Sequence, residues 1–488
     1  MPSHPSYYDL LDIPSDATPE EIRHAFHEAA RRLHPDVSSE PNSNEKFIEA
    51  QMAYDVLSDS RARALYDQGL RELSDSPVVV DITYSRQKLA VVDEPQLIYV
   101  LLEYSTGPKF VHTPNPPLNI CLVLDRSTSM QGTRMDTVKV AAVEMVRQLG
   151  PEDRLSIVLF SDRAEVLLSA GKRIDRTLIE AQIQMIRATG GTEIYQGLEA
   201  GFNEVKQNST RSQINHIILI TDGRTYGDED QCLQLAGVAA KQGFRITGLG
   251  IGTDWNDEFL DELTCRTGGT SFYISRASDI RTFLQDQFTN LKQIFAEQVI
   301  LNLSFSPGVK ITSAYRLRPE SAVLGSTSPI RLGSIPKPSK LSVMLEILAQ
   351  PVPLMKHRFS IASGETSFIL PSDPSRQHSI PISLSRSVRT EGSTGLPPNA
   401  IFKALSQITL FRMQERARQE AAEGKIQEAS MRLQRLATQL LSLGEIDLAQ
   451  TAIIEAERIQ QTHMLSAEGE KQIKYGTRTF MSPAGAEE

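Results

Sequence analysis

Residues Leu118 to Met130, LNICLVLDRSTSM, indicate the fold of the middle of this chain. Its first seven residues are almost continuously apolar, which is typical of a strand buried on both faces of a parallel sheet. The run then changes abruptly to an aspartate, Asp125, followed by Ser and Thr hydroxyls. Since ligands of open α/β sheets bind beyond the carboxyl ends of the strands, we expect these oxygen atoms at a binding edge.

The same kind of apolar run recurs downstream. Three further runs are RLSIVLF, NHIILIT and FRITGLGIG, and helical segments such as 135–149, ended by Gly150-Pro151, lie between them. Buried strands that alternate with helices predict a doubly wound α/β domain. Two more loops at predicted strand ends carry oxygen ligands, TGGTEI at 189–194 and TDG at 221–223.

Those three loops resemble the metal-ion-dependent adhesion site of the von Willebrand factor A domain, over about 118–295. The resemblance implies one divalent ion, Mg²⁺ or Mn²⁺. Its implied ligands are Asp125, Ser127, Ser129, Thr192 and Asp222. Mg²⁺ takes about six oxygens and is usually held by one or two carboxylates plus waters, which leaves a position for a carboxylate from a protein partner. This predicts a docking site rather than a catalytic centre. Alternatively, the two aspartates cap the following helices and the hydroxyls satisfy loop backbone.

The first seventy residues predict a pair of helices. Thr18-Pro19-Glu20-Glu21 combines a capping box with proline at the first helical position, which marks a helix start. Apolar side chains then fall on one helical face, and the pattern returns after a polar loop at 38–44. These positions are Ile22, Phe26, Ala29, Ala30, Leu33, Phe47, Ala50, Tyr54 and Leu57. Proline ends the first helix near Leu33, so His34-Pro35-Asp36 should form an exposed turn.

The segments YYDLLDIPSDATPEEIRHAF, HPD and AYDVLSDSRARALYD are similar to the J domain of the DnaJ co-chaperone family, over roughly 6–70. In that family, the HPD turn and the basic face of the preceding helix dock on a DnaK-type chaperone and trigger its ATP hydrolysis. The chaperone-binding residues that the resemblance implies are His34, Pro35, Asp36, Arg23, Arg31 and Arg32. The chain lacks the Gly/Phe-rich linker and the CxxCxGxG repeats of full-length DnaJ proteins. The alternative is a helix-ending turn without a partner.

Alternating apolar residues flank the predicted A domain. They are Val78, Val80, Ile82 and Tyr84 before it, and Val299, Leu301, Leu303, Phe305, Leu341, Val343, Leu345 and Ile347 after it. Alternation of this kind indicates half-buried strands. The first segment, 77–112, is too short to form a sheet domain alone, so we expect it to pair with strands from 298–390. The A domain, 117–297, would then be inserted in a β-sandwich.

After SRSVRTEGSTGLPPNA, which we interpret as a linker, residues 398–475 are predicted to be helical. Apolar residues spaced by three and four predict a helical hairpin packed on itself. They are Ile426, Ala429, Leu433, Leu436, Leu440, Leu443, Ala449, Ala452, Ala456 and Ile459. A homodimer or client-binding surface is the alternative. We expect a disordered tail over 476–488, after about Thr477.

Composition limits the function. The net charge of −9 and the absence of any Lys/Arg run argue against nucleic acid or an anionic membrane as the main partner. Neither a signal peptide nor a long apolar span is visible, so we expect a cytoplasmic protein. Walker A, GxSxG and HExxH motifs are missing, and no enzyme activity is predicted. The first hypothesis is a co-chaperone adaptor that recruits a DnaK-type chaperone to a protein target. The second is a metal-dependent scaffold whose J-like helices engage no chaperone.

Overall fold

The computed structural model describes residues 6–33, 43–64, 66–67, 76–170, 176–224, 227–351, 358–389 and 397–480. The chain divides into two compact units. The first comprises 1–81 with 106–112, and the second comprises 82–105 with 113–488. Among the described helices, none combines the length and the apolar composition that crossing a membrane requires.

The first unit contains the predicted helix pair. Its helices include α1 (Tyr7–Leu10), α2 (Pro19–Leu33) and α3 (Ser43–Leu57), and residues 60–64 and 66–67 are also helical. The capping box is present, since the Thr18 N–H donates to Glu21 at 2.6 Å and the Glu21 N–H donates to the Thr18 hydroxyl at 3.3 Å. Ile22 is fully buried in the common core, and Phe26 stacks on Tyr54 with ring centroids 4.3 Å apart. The predicted turn His34-Pro35-Asp36 lies outside the described residues.

The second unit contains the predicted doubly wound sheet, in the order β6-β5-β4-β7-β8-β9. The strands are β4 (Leu118–Asp125), β5 (Arg154–Phe160), β6 (Ala164–Leu168), β7 (Ile214–Thr221), β8 (Arg245–Ile251) and β9 (Ser271–Ile274). The helices are α4 (Thr133–Gln148), α5 (Arg176–Gln184), α6 (Ile194–Gln207), α7 (Glu229–Gln242), α8 (Asp257–Arg266) and α9 (Asp279–Lys292). All neighbouring strands run parallel except the edge pair β5 and β6.

The apolar run of β4 is explained by cores on both faces of this sheet. Ile120, Leu122 and Leu124 belong to one core, while Cys121 and Val123 belong to the other. Along the chain, strands are added on the β5 side of β4 first and then, from β7 onward, on its other side. The carboxyl end of β4 is therefore the switch point, where the loops of this fold open a binding crevice.

Two five-stranded sheets flank the doubly wound domain in sequence, as predicted for an inserted domain. Their orders are β1-β3-β14-β11-β12 and β13-β10-β15-β16-β2. Before the domain come β1 (Val78–Tyr84), β2 (Lys88–Ala90) and β3 (Gln96–Thr106). After it come β10 (Ile294–Phe305), β11 (Val309–Arg318), β12 (Ala322–Leu324), β13 (Ile330–Pro336), β14 (Leu341–Ala349), β15 (Arg358–Leu370) and β16 (Asp373–Arg389). The buried Tyr104 and Thr366 hydroxyls are hydrogen-bonded at 2.8 Å and join the two sheets.

Two details of this sandwich differ from the prediction. Strand β14 is buried on almost its whole length rather than half-buried, because a C-terminal helix covers the outer face of its sheet. Residues 385–389, which we interpreted as part of a linker, belong to β16. Ser387 to Arg389 pair in parallel with Lys88 to Ala90, a long-range partner that the local Ser and Arg content does not reveal.

The C-terminal region, described over 397–480, is larger than the predicted hairpin. It contains four helices, α10 (Asn399–Ala422), α11 (Ile426–Ser442), α12 (Ile446–Thr462) and α13 (Ala467–Thr479). Helices α11 and α12 pack through the predicted seam, but Leu443 is 58% exposed because α11 ends at Ser442. We expected a disordered tail from residue 476 onward. This expectation is wrong for residues 476–479, because α13 continues to Thr479 and Arg478 is buried.

Candidate functional site

Two backbone hydrogen bonds join the first two predicted loops at the end of β4. The Thr189 N–H donates to the Arg126 carbonyl at 2.7 Å, and the Thr128 N–H donates to the Gly190 carbonyl at 3.1 Å. A short 3₁₀ turn, Thr128–Met130, follows and leads into α4. The first two loops that carry predicted ligands are therefore joined to each other. We call the crevice formed by the three loops, 125–130, 189–194 and 221–223, the mouth.

Both predicted carboxylates are at the base of this mouth, with Asp125 0% and Asp222 1% exposed. Asp125 accepts the Ser127 N–H at 2.7 Å on one oxygen and the Thr221 hydroxyl at 2.7 Å on the other. Burial raises the pKa of Asp125 to about 6, because it penalises the charged form, while the hydrogen bonds from Thr221 and Ser127 oppose that rise.

The hydroxyls connect to the second carboxylate. Ser127 and Ser129 are hydrogen-bonded at 3.0 Å, and the Ser129 hydroxyl donates to Asp222 at 2.7 Å. Thr192 lies against the third loop, since its hydroxyl is 3.0 Å from where a Cβ on Gly223 would be. The structure thus brings all five predicted ligands to one place.

This donor set fits a hard divalent cation. Two carboxylates and three hydroxyls are oxygen donors, which suit Mg²⁺ or Mn²⁺ rather than a thiolate-preferring metal. Within the residues that the structure describes, no cluster of three or more His, Cys, Asp or Glu offers a competing site. The helix-cap alternative is wrong for both aspartates, because α4 has Gly132 and α7 has Asp228 at the N-cap.

One charged residue of the mouth was not predicted. Arg134, in the first turn of α4, donates to the second oxygen of Asp222 at 2.5 Å. Its own side chain is 36% exposed, whereas that of Asp222 is fully buried. In the sequence Arg134 is an ordinary polar residue at a helix start, and only the tertiary structure brings it to a carboxylate 88 positions away. Thr221 donates a hydrogen bond to Asp125 and was not predicted as a site residue either. Its position in the TDG loop, beside the predicted ligand Asp222, was a signal for it.

The first unit presents the three predicted arginines to solvent. Arg23, Arg31 and Arg32 are all exposed on α2, and none of them belongs to the core that α2 shares with α3. His27 and Glu28 are exposed among them, so the surface combines both signs of charge. The prediction for His34, Pro35 and Asp36 remains a prediction, because these residues are outside the described ranges.

Comparison with known families assigns three segments. Residues 6–67 match the DnaJ domain, residues 119–295 match the von Willebrand factor type A domain, and residues 399–483 match the "Sll0103-like, C-terminal alpha-helical domain". Among curated proteins, "Uncharacterized protein sll0103" of Synechocystis sp. is 27% identical over 392 residues, which cover 77% of this chain and 91% of that protein. "Chaperone protein DnaJ" of Dictyoglomus thermophilum is 46% identical over 68 residues, which cover 14% of this chain and 17% of that chaperone.

Solved structures show a similar fold over most of the chain. "von Willebrand factor type A from Catenulispora acidiphila" has a TM-score of 0.65 at 16% identity and covers 82% of this chain and 96% of its own. The "ArnB paralog VWA2 from Sulfolobus acidocaldarius" has a TM-score of 0.52 at 15% identity and covers 83% and 99%. These likenesses concern the fold alone. The chain therefore joins a J domain to a von Willebrand factor A domain and ends in a four-helix domain of the sll0103-like type.

Proposed function

We propose that this protein is a co-chaperone adaptor. Its A domain binds a protein target through a divalent-ion site, and its J domain recruits a DnaK-type chaperone and stimulates the ATPase of that chaperone. The observation that carries the proposal is the assembly of five oxygen donors at the switch point of an A domain that shares its chain with a J domain. We assign no reaction to the protein itself and place it in the cytoplasm.

The target-binding arm uses the residues of the A-domain mouth. Asp125, Ser127, Ser129, Thr192 and Asp222 would hold the ion. A bound divalent ion supplies a position that accepts one carboxylate oxygen from a target. The buried aspartates provide two negative charges, and the loop hydrogen bonds keep them in place before any target arrives. The exposed Arg224, which follows the third loop, adds positive charge that favours an acidic target segment, whereas Arg126 is paired with Glu165 at 3.1 Å.

The chaperone-binding arm is the J domain. Docking to a chaperone requires an exposed basic surface on a rigid support, and α2 provides one through the side chains of Arg23, Arg31 and Arg32. The capping box stabilises the start of that helix, and the Phe26–Tyr54 stack holds the helix against α3. Because both arms belong to one chain, a bound target meets the J domain at an effective concentration of about 1 mM, so weak chaperone affinity suffices.

The scaffold alternative is favoured by the charge of the J segment. Carboxylates outnumber basic side chains in residues 1–72, and the exposed Glu28 lies between Arg23 and Arg31 in the sequence of α2. Such a surface would weaken docking to an acidic partner. In that case the A domain and the C-terminal domain would assemble a complex without a chaperone.

A capture experiment separates the two functions. The full chain, the His34→Gln variant and a variant without residues 1–72 are immobilised with Mg²⁺ and ADP, and captured proteins are quantified by mass spectrometry. We expect one set of targets on all three, lost on EDTA treatment, and the DnaK-type chaperone on the full chain alone. Equal capture of the chaperone by all three proteins would mean that the chaperone binds them as unfolded clients and not through the J domain. That result contradicts the adaptor function.

A further inference from the structure

The last helix of the C-terminal domain contacts a loop beside the A-domain mouth. Lys471 of α13 is 6% exposed, and its ammonium group donates to the carbonyl of Thr253 at 2.7 Å and to that of Trp255 at 2.5 Å. The same ammonium lies 4.2 Å from the centre of the Trp255 ring. Residues 252–256, here called the β8–α8 loop, connect the end of β8 to α8. One lysine of the C-terminal domain thus holds two carbonyls of this loop.

Trp255 makes this loop a defined structure rather than a loose connection. Its side chain is 2% exposed, and its indole N–H donates to the Gly252 carbonyl at 2.8 Å. The ring covers Gly250, where an added Cβ would be only 2.0 Å from the ring atoms. The backbone of Gly252 is held by this indole hydrogen bond and by the hydrogen bond from its own N–H to the Ile274 carbonyl at 3.1 Å, and Lys471 contacts the same loop through Thr253 and Trp255.

Gly252 in turn contacts the arginine of the mouth. It has a φ of +70°, and a Cβ added there would be 2.8 Å from a terminal nitrogen of Arg134. The guanidinium of Arg134 thus packs directly on the glycine backbone. Its other terminal nitrogen bonds to Asp222, and also reaches the Ser129 carbonyl at 3.4 Å. The guanidinium is confined between the β8–α8 loop and two predicted ligands.

We propose that Lys471 is a positioning residue for the divalent-ion site. This inference rests on the proposed function, which includes that site. By holding the β8–α8 loop, Lys471 keeps Arg134 on Asp222. A guanidinium at this distance competes with a divalent ion for the carboxylate and repels it. The docked C-terminal domain therefore lowers the affinity of the site for the ion. Because linkage is reciprocal, ion binding that displaces Arg134 also loosens the hold of α13 on the loop.

The test is a calorimetric titration of the full chain with Mg²⁺, repeated with Mn²⁺. Arg134→Gln removes the competing charge and should tighten ion binding by about tenfold, as expected for the loss of a charge-assisted hydrogen bond. Lys471→Met keeps the aliphatic stem but not the donors and should tighten binding by about fivefold. The double variant should match Arg134→Gln rather than multiply the two effects, since both act through one contact.

Lys425→Met is the matched control. Lys425 is in the same C-terminal domain, and its ion pair with Glu423 lies within that domain. This variant should bind Mg²⁺ like the wild type. A change equal to that of Lys471→Met would mean that any lysine lost from the domain alters the titration, which overturns the proposal.

A second readout does not depend on the stability of the lysine variant. Trp255 is the single tryptophan of the chain, so intrinsic tryptophan fluorescence reports on the β8–α8 loop alone. Saturating Mg²⁺ should change this fluorescence in the wild type, and the change should vanish in Arg134→Gln although that variant binds the ion. Persistence of the full change in Arg134→Gln would show that Arg134 does not transmit it and would overturn the proposal.

The outcomes also separate this inference from the proposed function. Unchanged ion affinity in a folded Lys471→Met variant, or multiplying effects in the double variant, would overturn the role of Lys471 while the ion site stands. Absence of Mg²⁺ and Mn²⁺ binding in both the wild type and Arg134→Gln would overturn the site itself, and the inference with it.

Discussion

Arg134 and Asp222 form an ion pair of 2.5 Å at the switch point of the A-domain sheet, between a guanidinium that water reaches and a carboxylate that it does not. Leaving a carboxylate buried without a partner would cost several kcal/mol, so the arginine offsets the burial of Asp222. The site therefore has a cation of its own. An incoming divalent ion must replace the interaction between Arg134 and Asp222. The C-terminal domain can therefore influence ion binding, because it contacts the loop on which Arg134 packs.

Asp222→Asn should abolish the ion site without unfolding the domain. Asparagine keeps the shape and one acceptor oxygen, but removes one of the two negative charges that would balance a divalent ion. We expect Mg²⁺ affinity to fall by at least about 100-fold in calorimetry. Asp230→Asn changes an exposed acid at the start of α7 and should leave the affinity unchanged. Equal losses in both variants would show that general acidity, not this site, binds the ion.

Asp261→Asn should weaken the attachment of α13 to the A domain. Asp261 lies 2.6 Å from the guanidinium of Arg478 and 2.8 Å from the ammonium of Lys474. These cations hold the pKa of Asp261 well below its usual range, against the effect of burial. Asparagine removes the carboxylate that pairs with Arg478 and leaves Lys474 paired with Asp257 alone. The free energy of unfolding should fall by about 3 kcal/mol, measured with urea.

The neighbouring Glu262 provides the control for that measurement. Its ion pair with Arg266 is on the surface, where both side chains are largely exposed. Glu262→Gln should therefore change the free energy of unfolding by less than about 1 kcal/mol. If the two substitutions destabilise equally, the buried pairs of α13 do not hold this domain.

Glu297 should make the stability of the second unit decrease with pH. Burial raises its pKa from the ordinary 4.5 to about 8, although the nearby Arg245 opposes the rise. Arg331 lines the same cavity of about 20 Å³. Between these two pKa values the folded chain holds a proton that the unfolded chain has lost. Stability contributed by this group is thus full below pH 4.5 and is lost as pH rises to 8, by up to about 1.4 kcal/mol per pH unit.

Glu297→Gln removes that titration. Its free energy of unfolding, measured by urea denaturation from pH 5 to pH 8, should therefore fall less with pH than that of the wild type. Glu365→Gln, an exposed glutamate on β15, should reproduce the wild-type dependence. Parallel curves for wild type and Glu297→Gln would show that the carboxyl is charged in the folded protein.

Arg31→Glu should weaken chaperone stimulation without weakening the J domain. Arg31 is exposed on α2 and is not part of the core of the helix pair. We expect the thermal midpoint to fall by no more than about 4 °C, in keeping with a surface substitution, while stimulation of the chaperone ATPase falls by about tenfold. Arg61→Glu reverses an exposed arginine elsewhere in the J domain and should have little effect.

Local patterns were sufficient for the strands and helices of the A domain and for the three polar loops that meet at the end of its sheet. The burial of β4 on both faces and the three polar loops could be predicted from short sequence runs. A strand buried on both faces is almost continuously apolar, and the loops at the carboxyl edge of a parallel sheet carry polar residues. Arg134 was not predictable, since its role depends on a carboxylate brought from another strand. Nor was the docking of α13, because Lys471, Lys474 and Arg478 look like solvent-facing residues until a partner domain is present. Strand β14 was misjudged for the same reason, since α10 covers its second face.

Co-chaperone activity is measured most directly by single-turnover ATP hydrolysis by a DnaK-type chaperone of the same organism, with the full chain in excess. We expect the wild type to accelerate hydrolysis and His34→Gln not to do so, while Mg²⁺ titration and tryptophan fluorescence of the two proteins are identical. A wild type that fails to accelerate hydrolysis, in an assay where a DnaJ protein is active, would contradict the adaptor and leave the scaffold.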